Sequence, residues 1–192
     1  MIRTYISAAA AGMLLCACAS QEQKIASASE IKSSDDQFLP YREYTSGLMK
    51  ETALLSPDGT RANILIGRVD KNSGNKRFAV QVLIHYSEDR RRRYESARSS
   101  RAEPLQLVRI DQARKNCVKR LDRCTFSEIV DVVIPEAGLR GAGSEGYPVK
   151  LYARSGATSL IDIPKPVIAS LLAKIDADPA ITAAPAKVSQ SR

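Results

Sequence analysis

The stretch from Phe78 to Tyr86 carries a large apolar residue at every second position, and no other feature of the chain constrains the fold as much. Successive side chains of a strand point to opposite faces, so one face of this stretch would carry Phe78, Val80, Val82, Ile84 and Tyr86. Such a face is stable only when a second layer of structure covers it. The pattern therefore predicts a strand that is buried on one side.

Several other short segments have strand character, and turn signals separate them. In Ser56-Pro57-Asp58-Gly59 the proline presets φ and the glycine accepts positive φ, and Asn72-Ser73-Gly74-Asn75 is the next turn. Strands are predicted over residues 41–49, 62–69, 78–86, 91–97, 105–111, 125–134, 147–154 and 159–163. Segments 91–97 and 105–111 are expected to pair as one hairpin, and 147–154 and 159–163 as another.

One helix is predicted after these strands. An apolar stripe at helical spacing comprises Val167, Ile168, Leu171, Leu172 and Ile175. Pro164 and Pro166 suit the first turn of this helix, and Asp178-Pro179 ends it. The chain is therefore expected to be mainly β: an antiparallel β-sandwich or small barrel of about seven or eight strands with one C-terminal helix.

Cys117 and Cys124 lie between two predicted strands. In an oxidising compartment, two such cysteines are expected to form a disulfide across the mouth of a hairpin. The alternatives are a redox pair, which usually has two residues between its cysteines, and a zinc site, which needs four ligands that His85 alone cannot complete. We predict a structural disulfide, and neither a metal nor any other cofactor.

The N-terminus has the layout of an export signal. A short positive start, Met1-Ile2-Arg3, precedes an apolar stretch over residues 5–17 that is too short to span a bilayer. The stretch ends in Leu15-Cys16-Ala17-Cys18, which resembles the lipobox of bacterial lipoproteins: a leucine at minus three, a small residue at minus one, then the cysteine that receives lipid. The resemblance implies lipidation of Cys18 and removal of residues 1–17. Ordinary cleavage before Ser20 is the alternative.

The same resemblance implies a place in the cell envelope. Ala19 after the lipidated cysteine favours the outer membrane of a Gram-negative cell, with the domain facing the periplasm. Several acyl chains on Cys18 would anchor the chain stably. The expected organisation is a signal peptide over 1–17, a flexible tether over 18–40, a β-sandwich domain over 41–178 and a disordered tail over 179–192.

Lys and Arg number 29 against 21 Asp and Glu, which gives a net charge of +8. The densest basic run comprises Arg90, Arg91, Arg92 and Arg93, with Arg98 and Arg101 nearby. Such a patch attracts phosphate or carboxylate, which in the envelope belong to lipopolysaccharide, anionic lipid headgroups and peptidoglycan. Few aromatic residues accompany the run, so nucleic acid is not the expected partner. Alternatively, the charges keep an edge strand from pairing with other chains.

Two motifs with catalytic associations occur in the segment 141–146. Gly141-Ala142-Gly143-Ser144-Glu145-Gly146 matches G-x-G-x-x-G, and its last five residues are a distorted relative of the nucleophile elbow. Both motifs work between a strand and a helix, whereas a strand is predicted to follow here. A hydrolase would have to combine Ser144 with His85, the one histidine of the chain. We expect a loop and no enzyme.

The carboxylates offer no acid–base pair either. Glu128 and Asp131 would point to opposite faces of their strand and are expected to be solvated strand charges. The sequence thus predicts a non-enzymatic envelope lipoprotein whose domain docks, or helps to assemble, an envelope protein partner. Binding of an anionic glycoconjugate, lipopolysaccharide or peptidoglycan, through the arginine-rich strand is the alternative, and an envelope hydrolase is a third hypothesis.

Overall fold

The computed structural model describes residues 22–52, 59–118 and 123–182. Its strands are β1 (Lys32–Ser34), β2 (Tyr41–Thr45), β3 (Met49–Thr52), β4 (Thr60–Asp70), β5 (Lys76–Glu88), β6 (Tyr94–Ser99), β7 (Pro104–Leu105), β8 (Leu107–Val118), β9 (Arg123–Ile134), β10 (Tyr147–Ala153) and β11 (Thr158–Ile163). Its helices are α1 (residues 22–28), α2 (Glu136–Arg140), α3 (Lys165–Asp176) and α4 (Pro179–Thr182).

The strands form two antiparallel sheets. The large sheet has the order β1-β2-β4-β5-β9-β8, and β3 pairs with β4 as well. The small sheet has the order β11-β10-β6-β7. Neither sheet closes on itself through the described strands, so the arrangement is a sandwich and not a barrel. The expected mainly β fold with a C-terminal helix is confirmed.

The apolar alternation of β5 forms the centre of the core. Its alternate side chains are all buried, namely Phe78, Val80, Val82, Ile84 and Tyr86. They lie beside the buried face of β9, since β5 and β9 pair along eleven positions from Phe78↔Ile134 to Glu88↔Cys124. The small sheet adds Val149, Leu151, Ile161 and Ile163 to the same cluster. Full burial of each such side chain contributes about 1.5–3 kcal/mol, so this cluster stabilises the fold strongly.

The described residues form eleven strands, three more than the eight segments predicted. The additional strands are short and show no hydrophobic alternation in the sequence. β1 and β7 contain three and two residues, too few to show alternation. The predicted strand 41–49 is divided at Gly47, whose N–H donates to the Ala28 carbonyl at 3.0 Å. A Cβ at Gly47 would lie 2.2 Å from the Ser27 oxygen, so only glycine lets the end of α1 approach so closely.

The hairpin predicted from segments 91–97 and 105–111 is only partly correct. β6 and β7 pair through Ala97↔Leu105 and Arg98↔Pro104. The chain then crosses to the large sheet, where β8 pairs with β9 from Leu107↔Val132 onward. β8 has 12 residues, and pairing with β9 satisfies the backbone hydrogen bonds along most of its length. Pairing with β6, which has only six residues, would leave more of these backbone groups without partners.

The N-terminal segment packs onto the domain where the sequence predicts a flexible tether. Ala28 at the end of α1 is buried, and β1 pairs with β2 through Lys32↔Thr45 and Ser34↔Glu43. At the other end, Ile181 of α4 packs against the core, within the segment predicted to be disordered. The described domain therefore runs from residue 22 to 182. Residues 1–21, with Cys18, and 183–192 lie outside the described residues.

An ionic cluster ties α3 to α2 and β5. The Asp176 carboxylate accepts hydrogen bonds from Lys76 Nζ at 2.8 Å and Arg140 Nη2 at 2.7 Å. The bonds from Arg140 and Lys76 lower the pKa of Asp176 to about 2. Since the ordinary value is near 3.8, ionised Asp176 favours the folded state.

We expect the stability difference between wild type and Asp176→Asn to be constant above about pH 4 and to shrink as the pH falls from about 4 to 2. Protonation removes the carboxylate that both cations bind. Because 43% of the Asp176 side chain is exposed, the difference should stay below about 1 kcal/mol. Urea unfolding at a series of pH values measures it. A difference that persists unchanged at pH 2 contradicts the assignment.

Candidate anion-binding site

The four consecutive arginines lie in the crossover between the two sheets. The chain leaves β5 at Glu88 and enters β6 at Tyr94. With Arg154 and Ser155 of the β10–β11 turn, they line a depression of about 420 Å³. We call this depression the arginine pocket, and its lining residues are Arg90, Arg91, Arg92, Arg93, Arg154 and Ser155.

The arginine run is not part of a strand, in contrast to the sequence prediction of a strand over 91–97. Arg93 has a φ of 58°, in the left-handed region that extended strands do not use. This residue turns the chain so that β6 begins only at Tyr94. The arginines therefore do not protect a sheet edge, as the alternative interpretation of the run required.

Arg92 anchors the crossover in the core. Its side chain is 2% exposed, and its Nε and Nη2 donate to Glu88 Oε1 at 2.8 and 2.6 Å. The guanidinium also lies 4.5 Å from the ring centroid of Tyr86 and donates to the Tyr94 hydroxyl at 3.3 Å. Burial lowers the pKa of Arg92, but the bonds to Glu88 and Tyr94 outweigh it and raise the pKa above its ordinary value. Arg92 is thus a charged structural residue.

Glu128 binds the backbone of the same crossover from the core of the domain. Its carboxylate on β9 is fully buried and accepts bonds from Arg93 N–H at 3.1 Å and Tyr94 N–H at 3.3 Å. It also accepts a hydrogen bond from the Tyr86 hydroxyl. The prediction that Glu128 is a solvated strand charge is wrong, whereas Asp131 does point to the other face, where it bonds Gln81 at 2.9 Å.

Tyr86 links the two anchors. Its hydroxyl accepts the Arg92 backbone N–H at 2.8 Å while it donates to Glu128. Burial, followed by the bond to Glu128, raises the pKa of Tyr86 well above its ordinary value, so the hydroxyl remains a donor at neutral pH. The backbone of the arginine run is thus held rigidly from the core side.

The remaining arginines of the pocket have no carboxylate partner among the described residues: Arg90, Arg91, Arg93 and Arg154. Arg90, Arg93 and Arg154 are exposed. Arg91 is half-buried, bonds Gln112 at 3.0 Å and has a buried Nε without an acceptor. The backbone N–H of Arg154 donates to the Arg93 carbonyl at 2.9 Å, which fixes the two sides of the pocket together. The pocket therefore concentrates positive charge that no carboxylate of the described residues pairs with.

The structure separates Arg98 and Arg101 from the arginine pocket. Arg98 is exposed on β6 directly opposite Lys150 of β10. Arg101 lines a smaller depression of about 100 Å³ beside Tyr147, whose pKa is raised by burial. Arg154, which belongs to the pocket, has no sequence signal, because its position depends on the pairing of β10 with β6.

Ser144 and His85 do not come together. The glycine-rich segment follows α2 and makes a tight turn before β10, in which Gly146 has a φ of 93°. His85 is exposed on β5 and pairs with Ser127 of β9. Ser127 lies about 23 Å along β9 from the strand end that leads into α2 and this turn. Neither the phosphate-binding motif nor the nucleophile elbow has its required strand–turn–helix setting.

The predicted disulfide joins Cys117 and Cys124 and closes the β8–β9 hairpin. Arg114 Nε lies 3.0 and 3.1 Å from the two sulfur atoms. Because Cys124 pairs with Glu88, the disulfide and the arginine pocket share one end of the large sheet. The described ranges contain no group of three or more His, Cys, Asp or Glu residues arranged to hold a metal ion.

The lipobox cannot be placed, since residues 1–21 are outside the described ranges. Within residues 22–52, 59–118 and 123–182, no helix has the length and apolar character needed to cross a bilayer. Comparison with protein-family models, with curated proteins and with solved structures finds no match to this chain.

Proposed function

We propose that this chain is an envelope lipoprotein whose domain, without catalysing a reaction, binds the phosphate or carboxylate of an anionic glycoconjugate in the arginine pocket. One observation carries the proposal: four arginines without a carboxylate partner among the described residues line one depression of about 420 Å³. Lipid on Cys18 would hold the domain at the outer membrane, facing the periplasm.

The charge arrangement supports a ligand because it is unfavourable without one. Like charges held close together raise the free energy of the folded state. The guanidinium group is planar and binds phosphate or carboxylate through two parallel hydrogen bonds. An anion in the pocket would therefore relieve the repulsion and accept hydrogen bonds from the exposed guanidinium groups of Arg90, Arg93 and Arg154.

The rigidity of the crossover supports the same proposal. Glu128, Tyr86 and Glu88 fix the backbone and the Arg92 side chain before any ligand arrives. Binding to a preorganised site loses less conformational entropy than binding to a mobile loop. The volume also falls in the range of about 300–1,000 Å³ that is typical of sites for small ligand groups.

Binding of purified lipopolysaccharide, soluble peptidoglycan fragments and inorganic phosphate should be measured by titration calorimetry at low and high salt. We expect the triple variant Arg90→Gln, Arg93→Gln and Arg154→Gln to weaken binding of the glycoconjugate ligand by about 100-fold or more, because each charge-assisted bond contributes about 1.5–3 kcal/mol. High salt should weaken binding by the wild type as well.

The matched control is Arg98→Gln, Arg101→Gln and Lys150→Gln, which removes the same charge outside the pocket. We expect this control to bind nearly as well as wild type. Equal weakening by both triple variants would assign the binding to overall charge and would contradict the pocket. Comparison of the three probes identifies which anion the pocket prefers.

Docking of an envelope protein is the second candidate, and the outer face of the large sheet favours it. Val108 and Val133 are 40% and 37% exposed on that face, and Leu83 and Ile129 lie half-buried beside them. In-cell cross-linking of the lipidated chain and of Cys18→Ala discriminates the two. An abundant envelope protein captured only by the lipidated chain would support docking, whereas glycoconjugate alone would support the arginine pocket.

A further inference from the structure

The turn between β1 and β2 presents the most exposed large apolar side chain of the described residues. Phe38 is 83% exposed, and Leu39 beside it is 38% exposed. We call these two residues the apolar tip. A single exposed apolar residue is ordinary in a soluble domain. Two adjacent ones at the end of an ordered turn form a small apolar surface, and burial of the Phe side chain alone would contribute about 1.5–3 kcal/mol.

Hydrogen bonds hold the apolar tip in place. The Asp36 carboxylate accepts the Phe38 N–H at 2.9 Å, and the Asp36 carbonyl accepts the Leu39 N–H at 3.1 Å. Lys71 of the β4–β5 turn donates to the same carbonyl at 2.6 Å. The turn therefore directs Phe38 outward through its own backbone geometry.

An ionic chain joins this turn to the core. Asp35 contacts Lys71 at 2.7 Å and Arg42 at 2.8 Å. Arg42 also binds the buried Asp178 at 2.9 Å, and Asp178 accepts the Tyr44 hydroxyl at 2.7 Å. The tip is thus connected rigidly to β2 and to the loop between α3 and α4.

The apolar tip lies in the segment that follows the lipobox. Residues 19–21 separate Cys18 from Glu22 at the start of α1, and the four steps from residue 18 to residue 22 span at most about 14 Å. Because α1 and β1 are packed on the domain, a lipid on Cys18 would hold the domain directly against the bilayer. The tip follows β1 within a few residues.

We propose that the apolar tip inserts into the interface of the bilayer that holds the lipid of Cys18. The occupant of this surface is therefore a lipid surface, contacted by Phe38 and Leu39. The cations at the base of the turn, Arg42 and Lys71, are already bound to Asp35, so the contact is apolar and does not require anionic lipid. This proposal rests on one part of the proposed function, the lipid anchor on Cys18, and it does not depend on anion binding in the arginine pocket.

The chain contains no tryptophan, so Phe38→Trp creates a single fluorescent probe at the tip. The lipidated protein would be reconstituted into phosphatidylcholine vesicles with and without brominated acyl chains. We expect the F38W emission to move to shorter wavelength in vesicles and to be quenched by the brominated lipid. The matched control is Leu160→Trp, at a position 48% exposed on the small sheet, which should change in neither respect.

A second measurement removes the lipid anchor. The chain from residue 18 onward, carrying Cys18→Ala, should partition into phosphatidylcholine vesicles about tenfold more weakly when Phe38→Ser is added. Leu160→Ser should leave partitioning unchanged. Water-like F38W emission that brominated lipid does not quench, or equal partitioning with and without Phe38→Ser, overturns the proposal. Failure of the arginine pocket would instead appear only in the calorimetric experiment, which contains no vesicles.

Discussion

Replacing Glu128 by alanine should lower the free energy of unfolding by about 3–5 kcal/mol. The substitution leaves the N–H groups of Arg93 and Tyr94 and the Tyr86 hydroxyl without their common acceptor in a fully buried site. Each orphaned buried donor costs about 1–3 kcal/mol, partly offset by water that enters the cavity. Urea unfolding followed by circular dichroism measures the change.

Two variants define what Glu128 does. Asp131→Ala on the same strand removes a half-buried carboxylate from the opposite face and should cost less than about 1 kcal/mol. Glu128→Gln keeps an acceptor oxygen and should fall between alanine and wild type. It should also weaken ligand binding in the arginine pocket, because the backbone of Arg93 is less firmly held. An unchanged unfolding midpoint for Glu128→Ala would show that the carboxylate does not hold the crossover.

Leu171→Ala should lower the free energy of unfolding by about 3 kcal/mol. This is the typical cost of truncating a buried leucine when neighbouring side chains do not move in to fill the cavity. The small sheet has four strands and the large sheet has seven, so the small sheet is too narrow to cover the whole of the large one. α3 packs against β2 and β4 instead. The contact is close: a Cβ on Gly67 of β4 would lie 2.2 Å from Ile175 Cδ1 of α3. Leu171 is fully buried in this contact, so truncation leaves a cavity.

Differential scanning calorimetry of Leu171→Ala, beside Leu160→Ala, tests this role of α3. Leu160 has the same side chain but is 48% exposed, so its truncation should change stability by less than about 0.5 kcal/mol. A loss below about 1 kcal/mol for Leu171→Ala would mean that α3 is not an essential cover of the large sheet.

Local periodicity explains which elements could be predicted. The alternation in β5 and the apolar stripe of α3 are visible within single segments, and both are buried as the patterns require. The Cys117–Cys124 disulfide was also predictable from one segment, because the two cysteines are only seven positions apart and lie in one hairpin. The packing of residues 22–34 could not be predicted. Ala28 is small, and β1 joins the sheet through backbone hydrogen bonds, so neither produces a pattern of large apolar residues in the sequence.

The arginine pocket could be predicted only in part. The basic run itself is obvious in the sequence, but its setting depends on contacts between distant segments. Arg154 reaches the pocket through the pairing of β10 with β6, and Glu128 reaches it through the pairing of β9 with β5. Glu128 also looked like a surface charge, since a carboxylate on a strand is usually solvated and a buried one needs partners that a single segment does not reveal.

The length of β5 has a consequence for what the arginine pocket can reach. The strand has 13 residues and extends about 40 Å, from the β4–β5 turn beside the apolar tip to the crossover that carries the arginines. If the tip inserts into the bilayer as proposed, β5 would place the arginines up to about 40 Å from the membrane surface. At that distance, the lipid headgroups of the leaflet that holds the anchor would be too far from the arginine pocket to bind in it. The anion would have to come from material that stands well off that surface, as a cell-wall polymer does.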